Sequence, residues 1–545
     1  MSNDIRACEV LVIGDEVESV ITAVSSARAG VKTILARRSL GPLGGLSVRG
    51  GLSYMDITVE CLTGIFHEFY QRAGVVRIAL NPERAHLVLR QMLSEAGVEI
   101  ISGVEPVVQL SREGFPEQVE LRRIQKESMA HDSLSPTLIQ ADATLPADSS
   151  TDEDSGIYVS TRVLIDATPD ADVARALGVP YLKGLGGLLG EDQNYLGVSP
   201  VFRITGVPEA GLRAFEAKIR KNPHLPAILA KALPYHPQAL RDEYITRPTF
   251  APPDQDYLDI LNPVIGIDYH IWLHGTPSSY PTAPIAIDGA NISRLQDGSL
   301  GFNGMVARAD ALGFSPNSIF EGLIALSQGG ATPECLSAEM RHFETYLREM
   351  GHFPEAQVVP PAELYVRQTL TLLSRQNMTA RQTIEGGVPR EKAVGTFSYW
   401  LDLRGIQLWK RFPNEHLPKP VFNVGLDAAL PLSPALKNFA FVSRSAGYSP
   451  IGQGTGRIVQ HNAMLGEGLG VAAALAALTG RPLTEIADEA MPQIQAILAQ
   501  RRDGQLIING HPTWEPEQIA ASELLKQDAA VVANLRESAT DFAIL

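Results

Sequence analysis

The sequence predicts an α/β fold, a doubly wound parallel sheet with a second, mixed α/β domain set into it. Three observations point there. The chain opens with a strand–helix–strand unit over residues 9–45, and it closes with a strand, a glycine loop and an alanine-rich helix over residues 438–478. The long stretch between mixes strand and helix patterns. In a βαβ unit the strands are buried on both faces, so they read as continuous apolar runs rather than alternating ones.

Val10 to Ile13 is such a run, and it stops at Gly14. Val17, Val20, Ile21, Val24 and Ala27 recur at helical spacing up to Gly30, where a glycine can end a helix. Val31 to Ala36 is the second strand. The joint departs from the G-x-G-x-x-G pattern, in which one glycine turns the chain, one lets backbone approach a pyrophosphate and one packs helix on strand. Here the frame reads Gly14-Asp15-Glu16-Val17-Glu18-Ser19, and Arg37, followed by Arg38, replaces the acid expected after the second strand. A carboxylate roughly 6 Å from one phosphate charge, at an effective dielectric of about 20, costs about 3 kcal/mol.

Two amphipathic helices are predicted over Val59 to Gly74 and Pro82 to Gly97, then a strand or hairpin arm over Val98 to Val108. Residues 125–156, rich in Ser, Asp, Thr and Pro, read as a mobile insertion, because such a composition buries too little apolar surface to offset ordering. Tyr158 to Ala167 returns to strand pattern. Farther on come a strand at Val198 to Ile204, a helix around Leu212 to Lys221, strands between Val264 and Val306, and a long amphipathic stretch from Ser318 to Met350. Tyr269, His270, Trp272 and His274 fall on one of those strands, so that His270, Trp272 and His274 share a face. Two histidines without a third ligand do not make a metal site, and none is predicted.

The chain of 545 residues is long enough for two or three domains. Its net charge of −15 argues against nucleic acid or an anionic membrane as partner. Cys8, Cys61 and Cys335 are scattered without a C-x-x-C, which speaks against a disulfide framework, a zinc site or an iron–sulfur centre. The opening MSNDIRACEV is not a signal peptide and no apolar run reads as long enough to span a bilayer. A cytoplasmic protein acting on a small molecule is the expectation.

Several segments together resemble one family. They are the Gly14 turn, Leu43-Gly44-Gly45 with the Gly50-Gly51 pair, and Thr168-Pro169-Asp170-Ala171-Asp172, close to D-A-T-G-D-A-D. AELYVRQT (362–369) and YWLDLRG (399–405) resemble R-E-T-R and D-x-H-G segments, and NFAFVS followed by RSAG and GQGTGR leads into a helix with Gly466, Glu467 and Gly470 in register. The chain is similar to the FAD-dependent oxidoreductases related to the heterodisulfide-reductase flavin subunit and to succinate-dehydrogenase-like flavoproteins. The resemblance implies FAD and a Rossmann-like, glutathione-reductase-type domain from residues 1–180 and 420–480, a substrate or cap domain at 181–419, and a C-terminal helical extension at 481–545.

It also implies site residues. Gly14, Glu16, Arg37, Arg38, Gly44 and Gly45 fall at the dinucleotide turn, Val104 at the adenine, and Thr168, Ser443, Arg444, Gly456 and Arg457 on the flavin side. Arg367 keeps the first arginine of its segment, and Arg404 stands where relatives often have histidine. Arginine clamps a carboxylate but is no ordinary general base, so Arg367, Arg404 and Arg457 are the candidates for holding a substrate carboxylate, with ion pairs to Asp or Glu as the alternative. The backbone N–H groups of GQGTG, at the start of a long helix, would favour negative charge on a reduced flavin.

Three functions remain open on these residues. The first is an FAD-dependent oxidoreductase that transfers hydride from an unidentified small molecule to flavin. The second is a non-catalytic descendant of the fold, a binding or scaffold protein whose dinucleotide turn is filled by its own acids, with Glu16 paired to Arg37. The third is an NADP-type site in which Arg37 and Arg38 meet a 2′-phosphate.

Overall fold

The computed structural model describes residues 4–55, 63–75, 79–110, 114–124, 156–190, 194–233, 263–277, 283–412, 417–502 and 504–540. The insertion predicted at 125–156 and the first part of the helix predicted from Val59 lie outside them, apart from the last residue of the former.

Five parallel strands form the central sheet: β1 (Val10–Ile13), β2 (Thr33–Arg37), β3 (Glu99–Ser102), β4 (Val163–Asp166) and β5 (Phe439–Phe441), in the spatial order β5-β4-β1-β2-β3. Every residue of β1, β2 and β4 is buried, as a parallel sheet covered on both faces requires. From β1 the chain runs outward through β2 to β3 on one side, and β4 and β5 fill the other. The strand order therefore reverses between β1 and β4, and in open α/β sheets ligands bind at that reversal, beyond the carboxyl ends of the strands.

Helix α1 (Val17–Arg28) has no solvent face over its first ten residues, and two of its hydroxyls are satisfied within the helix: Thr22 donates to the Glu18 carbonyl at 2.7 Å and Ser26 to the Thr22 carbonyl at 3.0 Å. It crosses the closing helix, α2 (Val459–Thr479), at close range. A methyl group on Gly466 would stand 2.2 Å from Thr22 Oγ1, and one on Gly470 would stand 2.7 Å from the Thr22 carbonyl oxygen. Ser25 donates across the crossing to the Glu467 carbonyl at 2.6 Å. By length and hydropathy α2 passes as a membrane span, contrary to the sequence expectation, yet 89% of its apolar window is enclosed by the rest of the protein.

The hairpin arm predicted from Val98 separates into β3 and a strand, Val104–Leu110, of a second sheet. That four-stranded sheet is completed by Pro116–Arg123, Ile157–Ser160 and Asp4–Ala7. A further antiparallel sheet, with Phe202–Thr205 and Leu300–Ala307 near its middle, backs a separate buried core where Phe202 and Phe302 stack at 4.9 Å.

One assignment is overturned there. Residues 263–274 form a helix (Pro263–His274), not a strand, so His270 and Trp272 do not share a face. His270 and His274 stack one helical turn apart at 5.6 Å, and His270 Nε2 accepts the Ile287 N–H at 3.2 Å. Burial, then the neighbouring His274, pushes the His270 pKa down to about 4, which marks a neutral core histidine.

Candidate functional site

The carboxyl ends of β1 to β4 converge on a cavity of about 320 Å³. Its walls include Gly14 and Asp15 after β1, Arg38 after β2, Val104 after β3 and Thr168 after β4, so four strands widely separated in sequence supply one cradle. Gly14, at φ 145°, is required by close approach: a methyl group there would lie 2.4 Å from the Ala167 carbonyl oxygen. Ser19, in the third glycine's place, donates to that same carbonyl at 3.0 Å and so replaces helix–strand contact with a hydrogen bond.

The acidic joint is held by cations the sequence reading had not weighed. Arg49 donates to Asp15 at 2.7 Å and to Glu363 at 3.0 Å, with its side chain only 9% exposed. Arg37 Nε lies 3.6 Å from Asp15 Oδ2, and the same guanidinium donates to the Gly41 carbonyl. The partner of Arg37 is thus Asp15 and not Glu16, a correction to the expected pair. Arg37 is 4% exposed and turned inward, which removes it from a 2′-phosphate site, while Arg38 reaches the cavity rim and binds Gln328 at 2.9 Å and Glu105 at 3.2 Å.

Glu16 caps α1 in extended conformation but spends its side chain elsewhere. Its Oε2 accepts the Leu46 N–H at 3.0 Å. Gly44 (φ 109°) and Gly45 (φ 41°) make a turn that opens this N–H toward the carboxylate, and a methyl group on Gly45 would overlap Glu16 Oε1 at 2.0 Å. The Leu46 N–H that this turn exposes is thus taken by a side chain of the chain itself.

Burial shifts these acids apart. Burial is the largest influence on Asp15, yet Arg49 and Arg37 outweigh it and hold the carboxyl below its ordinary range. Glu16 is pushed well up, by burial and then by the charges of Glu363, Glu18 and Asp15. Glu18 rises to about 7, mostly from burial, and Glu363 also rises.

Two of the three candidate arginines, Arg367 and Arg404, line a smaller cavity of about 60 Å³ with Tyr365, Tyr399, Asp402 and Val459 among others, and Arg457 reaches two of those wall residues from behind. Arg457 donates to the Tyr365 hydroxyl at 2.6 Å and to Asp402 Oδ2 at 2.8 Å, and its side chain is 1% exposed. Arg367 donates to the Gly197 carbonyl and to Ser199, both at 2.9 Å, and stacks 4.3 Å over the Tyr365 ring. The Arg404 N–H donates to Asp402 Oδ1 at 3.2 Å. Burial is the largest influence on Asp402, but Arg457, Arg404 and Arg367 together hold it low; Arg367 itself is lowered by burial and by the other two cations.

Three flavin-side residues serve the fold's own contacts. Arg444 donates to Asp170 at 2.8 Å and to Ser327 at 2.5 Å, and the buried Ser443 hydroxyl accepts the Ser445 N–H at 3.2 Å. Gly456 packs on the Tyr448 ring, where a methyl group would come within 2.5 Å. The GQGTG loop is itself a helical turn, Gln453–Gly456, and its N–H groups go to Ser449, Ile451 and Gly452 carbonyls. Those N–H groups are thus spent within the chain, and at the start of α2 Val459 and Gln460 line the smaller cavity.

A reversed parallel sheet with a strand-end cradle and two glycine turns defines a dinucleotide-binding α/β protein. The chain belongs to the FAD dependent oxidoreductase family, whose model matches residues 9–498. The family's cofactor is FAD and its members are oxidoreductases. No curated protein matches the sequence. Among solved structures, p-nitrophenol 4-monooxygenase from Pseudomonas putida is 10% identical with TM-score 0.40, over 98% of both chains. The myxobacterial chondrochloren halogenase is 11% identical with TM-score 0.41, over 98% of this chain and 92% of that one. The THI4 protein of Thermovibrio ammonificans is matched over 63% of its own length and 32% of this chain, at 14% identity and TM-score 0.23. These likenesses are too low to bear on activity.

The larger cavity offers FAD uncharged backbone at Gly14 and an apolar side chain at Val104, beside the acids Asp15, Glu105, Asp172 and Glu363 and the cations Arg38 and Arg49. The pyrophosphate turn does not fit in this conformation, because the Glu16 carboxylate already holds the Leu46 N–H. The space at the arginine cluster, a few waters' worth, is likewise closed to a flavin ring.

Proposed function

We propose that this protein is an FAD-dependent oxidoreductase whose substrate is a small organic anion, and that Arg367, Arg404 and Arg457 hold the anionic group. One observation supports the reading: Arg457, Arg404 and Arg367 all act on the Asp402 carboxyl, and Arg367 and Arg404 line a cavity together with it. A guanidinium at a cavity wall offers a planar fork of donors that matches a carboxylate guest. Hydride acceptance is the chemistry that FAD supplies when bound. The chain's own residues bind and orient: Arg404 and Arg367 line the cavity, and Arg457 holds the wall residues Tyr365 and Asp402 in place. None of the three arginines moves a proton, since a guanidinium stays charged. Gly14, Arg38 and Val104 are the residues assigned to the adenosine half, and Thr168, expected on the flavin side, lines the same cavity.

The test compares succinate and lactate with their uncharged amides as thermal stabilisers of the purified protein, in wild type and Arg404→Gln. The carboxylates raise the melting temperature of wild type and the amides do not. Losing one charge-assisted bond weakens carboxylate binding by about 1.5–3 kcal/mol, roughly 10- to 150-fold in affinity. Equal responses to acid and amide, or an unaltered response in Arg404→Gln, refute the assignment.

A further inference from the structure

Two buried polar side chains belong to the wall of the smaller cavity and to none of the interactions described so far. Ser47 lies in the short helix Gly45–Val48 with no exposed surface, and Asn303 is 7% exposed on the strand Leu300–Ala307. Both line the cavity that Arg367 and Arg404 line. Ser47 Oγ and Asn303 Oδ1 make no hydrogen bond among the described residues. A buried oxygen in that condition costs stability, so it marks the place of a guest or of ordered water. We propose that the guest is a short 2-hydroxy carboxylate, its carboxylate held by Arg367 and Arg404 and its hydroxyl read by Asn303 and Ser47. The proposal rests on the organic-anion reading above.

The cavity lies where one face of the antiparallel sheet meets the dinucleotide-binding part of the chain. Gly301 and Asn303 share a face of their strand. At Gly301 that face is so close to the segment after the Gly50-Gly51 pair that a methyl group would stand 2.0 Å from Ser53 Oγ. In the same sheet the strand Tyr365–Val366 is separated from Asn303's strand by Val198–Ser199. Arg367 reaches back over this intervening strand, to the Gly197 carbonyl and to Ser199 Oγ. Both contacts use Nη1, which leaves the Nε–Nη2 edge of the fork to meet a carboxylate side-on.

The remaining wall selects the second group of the guest. Asp402 is already committed, Oδ2 to Arg457 at 2.8 Å and Oδ1 to the Arg404 N–H at 3.2 Å. Asn303 Oδ1 is an open acceptor without charge. An ammonium bound to it would sit near Arg367 and Arg404 with no carboxylate of its own, and like charges repel. A hydroxyl avoids that cost. It donates its hydrogen to Asn303 Oδ1 and accepts from the Ser47 hydroxyl, so a single group satisfies both buried oxygens. The bare C–H of a simple fatty acid satisfies neither. Ordered water would also serve the two oxygens, and a measured advantage of the hydroxy acid separates the two cases.

The experiment titrates lactate, propionate and alanine into the purified full-length protein by calorimetry. Wild type, Asn303→Leu, Ser47→Ala and Arg404→Gln are compared, with a thermal melt of each to show that it is folded. Wild type binds lactate roughly 3- to 10-fold more tightly than propionate, the worth of one net hydrogen bond, and binds alanine more weakly than either. In Asn303→Leu the affinity for lactate falls to that for propionate, which itself stays as in wild type. Ser47→Ala removes a single atom and keeps the test open if the leucine variant does not fold; it too narrows the gap between lactate and propionate. Arg404→Gln weakens both acids alike, so charge and hydroxyl are read separately. Equal binding of lactate and propionate by wild type overturns the proposal and leaves the anion reading standing. So does a full lactate advantage kept in the folded variants at positions 303 and 47, or alanine binding as tightly as lactate. Failure of both acids to bind folded wild type overturns the anion reading, and this proposal with it.

Discussion

The buried ion pair between Glu467 and Arg502 gives a prediction whose magnitude can be worked out from geometry. Glu467 sits in the middle of α2 and Arg502 just beyond the helix Met491–Gln500; both side chains are 2% exposed and the contact is 2.7 Å. At an effective dielectric of about 20, Coulomb attraction at that distance is about 6 kcal/mol. Desolvating each ion costs several kcal/mol, so the intact pair comes out near zero. Removing one partner is different, because the other is left charged and buried. Glu467 Oε1 already has no hydrogen-bond partner, so Arg502→Met leaves the carboxylate without either its cation or any other acceptor role filled. The expected loss is about 3–5 kcal/mol. Adding Glu467→Leu to Arg502→Met replaces two charges with apolar volume and recovers stability to within about 1.5 kcal/mol of wild type. Guanidinium denaturation with a double-mutant cycle measures both numbers. If the double variant is as unstable as the single one, the pair acts through packing and not through charge, and the electrostatic reasoning fails.

Two further outcomes concern the same scaffold. Gly470→Ala gains about 1 kcal/mol of helix propensity but drives a methyl group toward the Thr22 carbonyl and Ser25 Cβ, 2.7 and 2.6 Å away, at an overpacking cost of about 1–3 kcal/mol. A net loss is expected in the denaturation midpoint, and a stabilised variant would show that α1 and α2 can separate freely. Asp528, on the C-terminal helix, accepts from Ser449 at 2.6 Å, the Ile451 N–H at 2.7 Å and the Ala380 N–H at 3.1 Å. Asp528→Ala orphans the Ile451 N–H and the Ser449 hydroxyl and leaves the Ala380 N–H with Ser449 Oγ alone, so a loss of about 2–4 kcal/mol and protease release of the helix Glu523–Thr540 are expected. Burial raises the Asp528 pKa from 3.8 to about 6, so the folded state binds that proton more tightly than the unfolded chain. Its contribution is present in acid and fades as pH rises from about 4 through 6, and the alanine variant lacks this slope.

What the sequence made legible follows the reach of its signals. The runs Val10 to Ile13 and Val31 to Ala36 bracket β1 and β2 because burial on both faces leaves no polar alternation to misread. The strand at Asn438 to Ser443 and the alanine-rich helix were readable for the same reason. The helix Pro263–His274 was not. It is covered on several sides, by Tyr346 and Phe343 and by the strand Ile285–Arg294, so its apolar residues show no single stripe and its β-branched and aromatic content imitates a strand. Which of two adjacent acids turns toward Arg37 depends on one rotation of the backbone, extended at Glu16, and that is invisible in a string of letters. Arg49, Glu363 and Asp402 lie inside motifs already singled out, next to the glycine pair and the two arginines. A count of charges within each motif would have found them. Asp528 carried no such signal, because its partners are 77 to 148 residues away.

The charge balance at the joint separates two meanings of an acidic dinucleotide loop. Had the chain matched each new carboxylate with a cation of its own, the loop would be a closed structural element, indifferent to pH and to cofactor. Asp15 is in that condition: two arginines reach it and its pKa is held down. Glu16 and Glu18 are not, since their pKa values rise and Glu18 Oε2 lacks any hydrogen-bond partner. A buried acid left in deficit of counter-charge is driven toward its neutral form, because burial penalises the charged one. An apolar residue at position 16 would avoid the cost of burying a charge, but it would leave the Leu46 N–H without the carboxylate that accepts it at 3.0 Å beside the Gly44-Gly45 turn.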